Sequence, residues 1–164
     1  MQSFYVRSRT FNPVGGLATT LFTTYHRNFQ HMAEAPVVLV VEDEPLVQQT
    51  LCTALTLMGF QTRRADNVDA ALTILANERI EAVSLDLRIP DPKGLRRSGF
   101  SVLAHLRSVE EYGSVPVLVF TGQPLSASDA EFLGRHNARV FYKPQPYSVV
   151  IEELQRLLQK TPAA

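Results

Sequence analysis

From residue 37 onward, short runs of apolar residues alternate with segments in which apolar residues recur every three or four positions. The run Val37–Val41 is continuous and β-branched, which is typical of a strand buried on both faces of a parallel sheet. The other runs that predict strands are 60–65, 81–87, 115–121 and 139–142. The helical pattern predicts helices over 45–58, 68–76, 99–109, 126–136 and 147–159.

The ends of these elements carry local signals. Pro45 stands at a first helical position, where proline is tolerated, and Gly59 follows the same helix. Asn67 is a favourable N-cap for the second helix, and Ser126 or Ser128 can cap the fourth. These signals indicate five successive strand–helix units.

Such an alternation is typical of an α/β protein with a parallel sheet. Crossovers between parallel strands are right-handed, so five units form an open, doubly wound sheet with helices on both faces. We predict the flavodoxin-like strand order 2-1-3-4-5, with the more polar second strand near an edge. Ligands of such sheets bind beyond the carboxyl ends of strands one and three. Residues 36–160 are expected to form this domain, with 161–164 as a C-terminal tail.

Residues 1–35 differ from the rest of the chain. They are rich in Ser, Thr, Phe and Arg, contain no acidic residue before Glu34, and show neither a strand period nor a helical period. A transit peptide, a mobile arm and an upstream extension without a folding role all fit this composition, and a short helix within 17–30 is a further alternative. We expect this N-terminal extension to be disordered.

The bulk composition indicates an ordinary globular protein. With 164 residues, 45% hydrophobic and 20% charged, the chain is long enough for one domain with a full core. Its formal net charge is zero, and it lacks the clustered basic excess of a nucleic-acid-binding surface. The single cysteine fits a reducing compartment, and no apolar stretch reaches the roughly 18 residues that span a bilayer. We therefore expect a cytoplasmic protein that binds neither nucleic acid nor a membrane.

Acidic residues follow two of the predicted strands. Glu42 and Asp43 come directly after the first strand, and Asp86 lies at the end of the third apolar run. If these strands are parallel neighbours, the three carboxylates meet at one edge of the sheet, where like charges about 4 Å apart repel by roughly 4 kcal/mol. A divalent cation relieves this repulsion, and hard oxygen ligands with open positions suit Mg²⁺. The sequence therefore predicts a metal site beside a reactive carboxylate.

Thr121 and Lys143 close the fourth and fifth predicted strands, so they reach the same edge of the sheet. With these residues the sequence resembles the receiver domain of two-component response regulators. The matching segments are Glu42-Asp43, SLDLRIP around Asp86, Thr121-Gly122 in VFTG, and Lys143-Pro144 in YKP. The resemblance covers roughly residues 37–160.

The resemblance implies a phosphoacceptor and a metal site. Asp86 would accept a phosphoryl group from a phosphohistidine on a sensor histidine kinase or a histidine phosphotransfer protein. Asp43 and Asp86 would bind Mg²⁺ directly, Glu42 would act through water, and the backbone oxygen of Arg88 would be a further ligand. This chemistry suits the residue types, because a carboxylate attacks phosphorus once other groups neutralise the incoming charge.

The remaining matched residues would stabilise the phosphoryl group or shape the site. Thr121 would donate a hydrogen bond to one phosphoryl oxygen, and Lys143 would pair with another. Gly122 would leave space beside the acceptor, and the bond between Lys143 and Pro144 would be cis.

One departure from the family pattern is a longer loop after the third strand. The distance from Asp86 to Gly99 exceeds the usual spacing, and the extra residues 91–98 contribute Lys93, Arg96 and Arg97 near the expected phosphate site. We hypothesise that this basic loop alters the lifetime of the phosphoryl group or the choice of kinase. A shortened loop with an unchanged dephosphorylation rate would contradict this hypothesis.

A second departure lies on the fifth strand. Val140 stands three residues before Lys143, where many receivers carry a tyrosine or phenylalanine that rotates on phosphorylation. Phe141 and Tyr142 are displaced from that position. We therefore expect phosphoacceptance to be retained and the aromatic rotation to be absent.

Only four residues follow residue 160, so we expect a stand-alone receiver that signals to an unknown downstream protein. The contact surface would be the face made by helix four, strand five and helix five. Such a module catalyses its own phosphorylation and is not a turnover enzyme. A receiver-like adaptor that works without phosphorylation is the main alternative. A hydrolase of the haloacid-dehalogenase type is disfavoured, because it needs a second acid where this chain has Arg88.

Overall fold

Five parallel strands form one sheet in a computed structural model of the chain, which describes residues 35–94 and 98–160. The strands are β1 (Val37–Val41), β2 (Gln61–Ala65), β3 (Ala82–Leu85), β4 (Val117–Thr121) and β5 (Ala138–Tyr142). The helices are α1 (Pro45–Leu57), α2 (Val68–Asn77), α3 (Gly99–Ser108), α4 (Ala127–Arg135) and α5 (Tyr147–Lys160), with a 3₁₀ turn at Glu110–Tyr112. The expectations for the N-terminal extension and the C-terminal tail fall on residues outside the described ranges, apart from Ala35.

The strand order across the sheet is β2-β1-β3-β4-β5. The predicted α/β class and strand order are therefore confirmed. All residues of β3 and β4 are buried, as are the last four residues of β1, whereas β2 and β5 lie at the edges and are more exposed. This burial explains the apolar composition of the three central strands, because helices cover both faces of a parallel sheet.

Three strands begin one or two residues later than the apolar pattern predicts, and for two of them backbone hydrogen bonds explain why. Phe60 is not part of β2, since its N–H donates to the Leu55 carbonyl oxygen at 3.1 Å and closes the end of α1. The N–H of Val115 donates to Tyr112 at 3.1 Å in the preceding turn, and Pro116 has no N–H to offer. Strand β4 therefore starts at Val117.

Strand β3 is also shorter than predicted, and its end positions the expected phosphoacceptor. The N–H of Asp86 still donates to Val41 of β1 at 2.9 Å, but the chain then leaves the sheet. At this point the Asp86 carboxylate accepts a hydrogen bond from the N–H of Arg88 at 3.0 Å. Asp86 is thus the first residue beyond the strand, held by bonds on both sides.

The predicted N-caps are present. Asn67 accepts a hydrogen bond from the N–H of Ala70 at 2.8 Å. Ser126, rather than Ser128, caps α4 in a reciprocal pair of bonds with Asp129, at 3.1 and 3.0 Å. None of the helices in the described part of the chain is long and apolar enough to cross a membrane.

Candidate functional site

The carboxylates after β1 and β3 lie together. The two strands pair with Val41 opposite Leu85, so the residues that follow them leave the sheet side by side. One carboxylate oxygen from each of Glu42, Asp43 and Asp86 lies within 4.8 Å of the others. Glu42 and Asp86 are buried, with 4% and 6% of their surface exposed, whereas Asp43 faces solvent.

The ammonium of Lys143 reaches into this acidic cluster. Its Nζ lies 2.6 Å from Oε2 of Glu42 and 2.7 Å from Oδ2 of Asp86, and donates to both. The backbone supports this position, because the N–H of Lys143 donates to the Thr121 carbonyl oxygen of the neighbouring strand at 2.9 Å. Three carboxylates and one ammonium give the cluster a formal charge of −3 + 1 = −2.

Burial and charge shift the proton affinity of this pair. Burial raises the pKa of the Glu42 carboxyl, and the nearby Asp86 charge adds to the effect; Lys143 opposes it without cancelling it. Burial alone would lower the pKa of Lys143, but its bonds to Asp86 and Glu42 outweigh burial, and the pKa is raised. Both raised pKa values favour the protonated form of the group concerned, the neutral carboxyl of Glu42 and the ammonium of Lys143. The ammonium of Lys143 therefore stabilises the two buried carboxylates of Glu42 and Asp86.

The other oxygen of Asp86 faces neutral donors. Oδ1 lies 3.2 Å from the hydroxyl of Thr121, which is fully buried, and accepts the bond from the N–H of Arg88. The N–H of Gln123 donates to the Thr121 hydroxyl oxygen at 3.3 Å, which leaves that hydroxyl free to donate to Asp86. The two carboxylate oxygens of Asp86 are thus oriented by groups that follow β3 and β5 and by the last residue of β4.

Gly122 and Pro144 complete the set of residues suggested by the sequence. A Cβ added to Gly122 would come no closer than 3.9 Å to any neighbour, the nearest being Cβ of Lys143. The space expected beside the acceptor is therefore present, although one methyl group would not overfill it. The peptide bond between Lys143 and Pro144 is cis, as the resemblance implies.

The donor set of the cluster fits Mg²⁺. This ion binds carboxylate and water oxygens at about 2.1 Å, so ligands on opposite sides of it are about 4.2 Å apart. The carboxylate cluster is only slightly wider. Three carboxylates within this distance fit the donor set of a Mg²⁺ ion that also keeps bound water.

The long loop after β3 is attached to α2. Lys93 forms an ion pair with Asp69 at 3.1 Å, and the N–H of Val68 donates to the Pro90 carbonyl oxygen at 3.1 Å. The ammonium of Lys93 is therefore paired with the first turn of α2, and the hypothesised effect of this loop on phosphoryl lifetime or kinase choice stays a prediction. Arg96 and Arg97 lie outside the described residues.

The fifth strand has no large aromatic side chain at the position that usually switches. Val140 is partly buried and packs against the main core, while Phe141 is half-buried and Tyr142 is 52% exposed. The side chains of this strand therefore provide an apolar surface at the sheet edge, with Tyr142 as its most exposed aromatic group.

Sequence reasoning treated Gly99 only as a marker of loop length, and the structure gives it a second role. A Cβ on Gly99 would lie 2.7 Å from Cα of Leu87, and closer still to the carbonyl oxygen of Asp86. The N–H of Gly99 donates to the Leu87 carbonyl oxygen at 3.1 Å. The start of α3 is thus pressed against the backbone that carries Asp86. A glycine directly after the N-cap Ser98 was the available signal for this contact.

The Lys143→Met variant should be less stable than the original chain, by about 2 kcal/mol near neutral pH. Removing one partner of a fully buried ion pair costs about 3–5 kcal/mol, and we expect less because the Lys143 side chain is 21% exposed. The deficit should shrink as the pH falls through the raised pKa of Glu42, because a protonated carboxyl needs no cationic partner. Urea unfolding of both proteins at a series of pH values measures this difference in the free energy of unfolding. A deficit that grows towards acid pH would contradict this role of Lys143.

Comparison with known proteins agrees with this geometry. A sequence model of the response regulator receiver domain matches residues 38–155. The probable transcriptional regulatory protein TcrX of Mycobacterium tuberculosis is 32% identical over 126 residues, which cover 76% of this chain and 50% of that protein. A hybrid signal transduction histidine kinase of Dictyostelium discoideum is 27% identical over 99 residues, which cover 60% of this chain and 6% of that protein. The chain spans about half the length of the curated relatives it matches over most of its own length.

Solved structures show the same fold. A CheY-like receiver domain protein from Methanospirillum hungatei superposes with a TM-score of 0.69 at 18% identity, covering 77% of this chain and 96% of that one. The receiver domain of the sensor histidine kinase PA1611 from Pseudomonas aeruginosa gives 0.65 at 23% identity, covering 77% and 99%. That domain was solved with a magnesium ion in its active-site cleft.

Proposed function

Because the chain belongs to the response regulator receiver domain family, we propose that it accepts a phosphoryl group on Asp86. The donor would be a phosphohistidine on a sensor histidine kinase or a histidine phosphotransfer protein. Receiver domains are signalling modules rather than turnover enzymes, so the phosphorylated form would act through contacts with a further protein.

The observation that carries this proposal is the environment of the Asp86 carboxylate. It is buried, and its oxygens accept from the Arg88 N–H, the Thr121 hydroxyl and the Lys143 ammonium. A second buried acid, Glu42, shares this ammonium, so the site holds more negative charge than its one ammonium neutralises. The same donors would neutralise the charge that an incoming phosphoryl group brings to this site.

In the proposed step, a carboxylate oxygen of Asp86 bonds to phosphorus while the bond between phosphorus and the donor imidazole nitrogen breaks. The electron pair of that bond stays with the imidazole, and the product is an acyl phosphate. Thr121 would then donate a hydrogen bond from its hydroxyl to one phosphoryl oxygen. Lys143 would exchange one of its two carboxylate partners for a second phosphoryl oxygen. These groups are already in place, so little reorganisation precedes the transfer.

Glu42, Asp43, Asp86 and the backbone oxygen of Arg88 would hold Mg²⁺, which supplies positive charge to the phosphoryl oxygens when bound. The remaining side chains act around it. Glu42 would keep Lys143 directed at the site before transfer, because their contact is 2.6 Å and lies next to Asp86. Asp43, the exposed member of the cluster, would be the ligand most accessible to an ion entering from solvent.

The face made by α4, β5 and α5 is the surface we propose for signal output. It carries two of the large hydrophobic residues that the described part of the chain exposes, Tyr142 at 52% and Val149 at 38%. Covering these two apolar side chains would contribute to the binding of a partner protein at this face. With Val140 in place of an aromatic residue, output would depend on movement of the backbone and of Thr121 rather than on rotation of a ring on β5.

Phosphorylation with a small donor tests the proposal. The chain should gain one phosphoryl group, by intact mass, when incubated with Mg²⁺ and acetyl phosphate. Hydroxylamine should remove the group, because it cleaves acyl phosphates and leaves phosphate esters of Ser and Thr intact. Omitting Mg²⁺ with a chelator should prevent the gain.

The outcomes separate the two candidate functions. A chain that gains no mass under these conditions, while folded and able to bind Mg²⁺, would instead be the adaptor that works without phosphorylation. Uptake that resists hydroxylamine would place the phosphate on another residue type and would also contradict the proposal.

A further inference from the structure

Arg88 directs its side chain towards the same edge of the sheet as Lys143. Its Nη2 lies 4.0 Å from the position that a Cβ on Gly122 would take, and Cβ of Lys143 lies 3.9 Å from that same point. Gly122 directly follows Thr121, whose hydroxyl faces Asp86 at 3.2 Å. Both basic side chains therefore approach the same point beside Gly122, next to the residue that faces the acceptor.

The charged groups of Lys143 and Arg88 differ in their hydrogen bonds and ion pairs. The ammonium of Lys143 is shared between two carboxylates. The side chain of Arg88 is exposed, and among the residues that the structure describes its guanidinium makes no hydrogen bond or ion pair. The backbone N–H of Arg88 donates a hydrogen bond to the Asp86 carboxylate. An exposed arginine without a partner, placed beside a cluster with a net negative charge, is thus available to a ligand.

A phosphoryl group suits this position. Each of its three peripheral oxygens accepts more than one hydrogen bond, so they can take donors in addition to the Thr121 hydroxyl, the Lys143 ammonium and Mg²⁺. The planar fork of a guanidinium matches two of these oxygens at once. Gly122 adds no side chain at this position, where an ideal Cβ would lie 4.0 Å from Nη2 of Arg88.

We propose that the guanidinium of Arg88 binds the peripheral oxygens of the phosphoryl group at Asp86, as a specificity-determining contact for the anionic donor. This inference rests on the proposed function and assigns to the Arg88 side chain a role separate from that of its backbone. Arg88 would raise the affinity for tetrahedral phosphoryl groups, and it would repel Mg²⁺ slightly, since both are cations.

The test uses the Arg88→Met variant of the full chain and two ligands, beryllofluoride as a phosphoryl mimic and Mg²⁺ alone. In the presence of Mg²⁺, beryllofluoride should bind the variant about tenfold more weakly, as expected for the loss of a charged hydrogen-bonding partner. Mg²⁺ alone should bind the variant about twofold more tightly, because a nearby positive charge is gone. Calorimetry measures both, and Arg88→Lys should give an intermediate affinity for beryllofluoride.

Opposite changes in the two affinities are the signature that a purely structural role of Arg88 would not produce. The control is Arg79→Met, which removes an exposed arginine (74% of its side chain) that precedes β3 at the far end of the sheet. It should leave both affinities unchanged.

Unchanged beryllofluoride binding by Arg88→Met, or a parallel loss of both affinities, would overturn the inference. Failure of the proposed function looks different, because the original chain would then bind no beryllofluoride and take up no phosphoryl group from acetyl phosphate.

Discussion

The Asp86→Asn variant is expected to take up no phosphoryl group, which is the largest functional effect of any single substitution considered for this chain. An amide oxygen is a poor nucleophile towards phosphorus, so the acyl phosphate cannot form. The fold should persist, because asparagine has the same shape and its oxygen can still accept from Arg88 and Thr121 on the Oδ1 side.

The stability of this variant should stay within about 1 kcal/mol of the original chain. Its amide N–H₂ would face the ammonium of Lys143, which loses one partner and keeps Glu42 at 2.6 Å. Against this loss, the formal charge of the cluster falls from −2 to −1, which reduces repulsion between carboxylates. We expect the stabilisation by Mg²⁺ to weaken markedly, since one of three carboxylate ligands is removed.

Intact mass after incubation with acetyl phosphate, together with urea unfolding with and without Mg²⁺, measures these effects. The matched control is Glu111→Gln, which removes an exposed carboxylate from the 3₁₀ turn before β4, at the opposite end of the sheet. The Glu111→Gln variant should take up as much phosphoryl group from acetyl phosphate as the original chain. Label that persists in Asp86→Asn and is lost on treatment with hydroxylamine would mean that another carboxylate is the acceptor.

The convergence of Glu42, Asp86 and Lys143 could be predicted because it depends only on strand ends. A continuous β-branched run such as Val37–Val41 identifies a central strand from the sequence alone. Once parallel strands are placed in the order 2-1-3-4-5, the residues that follow them must share one edge. Apolar periodicity therefore identifies the strands, and the strand order then determines the position of the acidic cluster.

The contacts that sequence reasoning missed depend on side-chain direction and on close approach of the backbone. Nothing in the composition of the loop after β3 indicates that Lys93 pairs with Asp69 of α2 rather than with a phosphate. The direction of the Arg88 guanidinium is equally invisible in the sequence, since only the geometry of the turn after β3 aims it towards Gly122.

Tertiary support for the ends of helices was missed for the same reason. Arg107 donates from Nε to the His136 carbonyl oxygen at 2.9 Å and from Nη1 to the Tyr112 carbonyl oxygen at 3.0 Å. The hydroxyl of Tyr112 in turn lies 2.9 and 2.7 Å from the carbonyl oxygens of Leu75 and Glu78, which share its one proton. These bonds join segments far apart in the chain, and no local pattern indicates them.

The Gly99→Ala variant is expected to lose about 3 kcal/mol of stability, the largest effect on stability among these predictions. The added methyl group would lie 2.7 Å from Cα of Leu87 and even closer to the carbonyl oxygen of Asp86. Both neighbours are backbone atoms, so no flexible side chain can move aside. The first turn of α3 must shift away from the turn after β3, and the hydrogen bond from Gly99 to Leu87 is strained or lost.

This shift should also reduce phosphorylation of the molecules that remain folded. Displacing the Asp86 backbone moves a nucleophile that is held between Arg88, Thr121 and Lys143, and a misplacement of about 1 Å can cost about 100-fold in rate. Urea unfolding gives the change in stability. The initial rate of labelling by acetyl phosphate, corrected for the folded fraction, gives the effect on the site.

Gly134→Ala is the control that separates a steric effect from a general effect of glycine. Gly134 lies in α4, is exposed, and would have no atom within 4 Å of an added Cβ. The same substitution there should leave labelling unchanged and raise the free energy of unfolding by up to about 1 kcal/mol, since alanine favours the helix. If Gly99→Ala behaved like Gly134→Ala, the start of α3 would not be pressed against the acceptor backbone. The loop after β3 would then be free to set the position of Asp86 without help from α3.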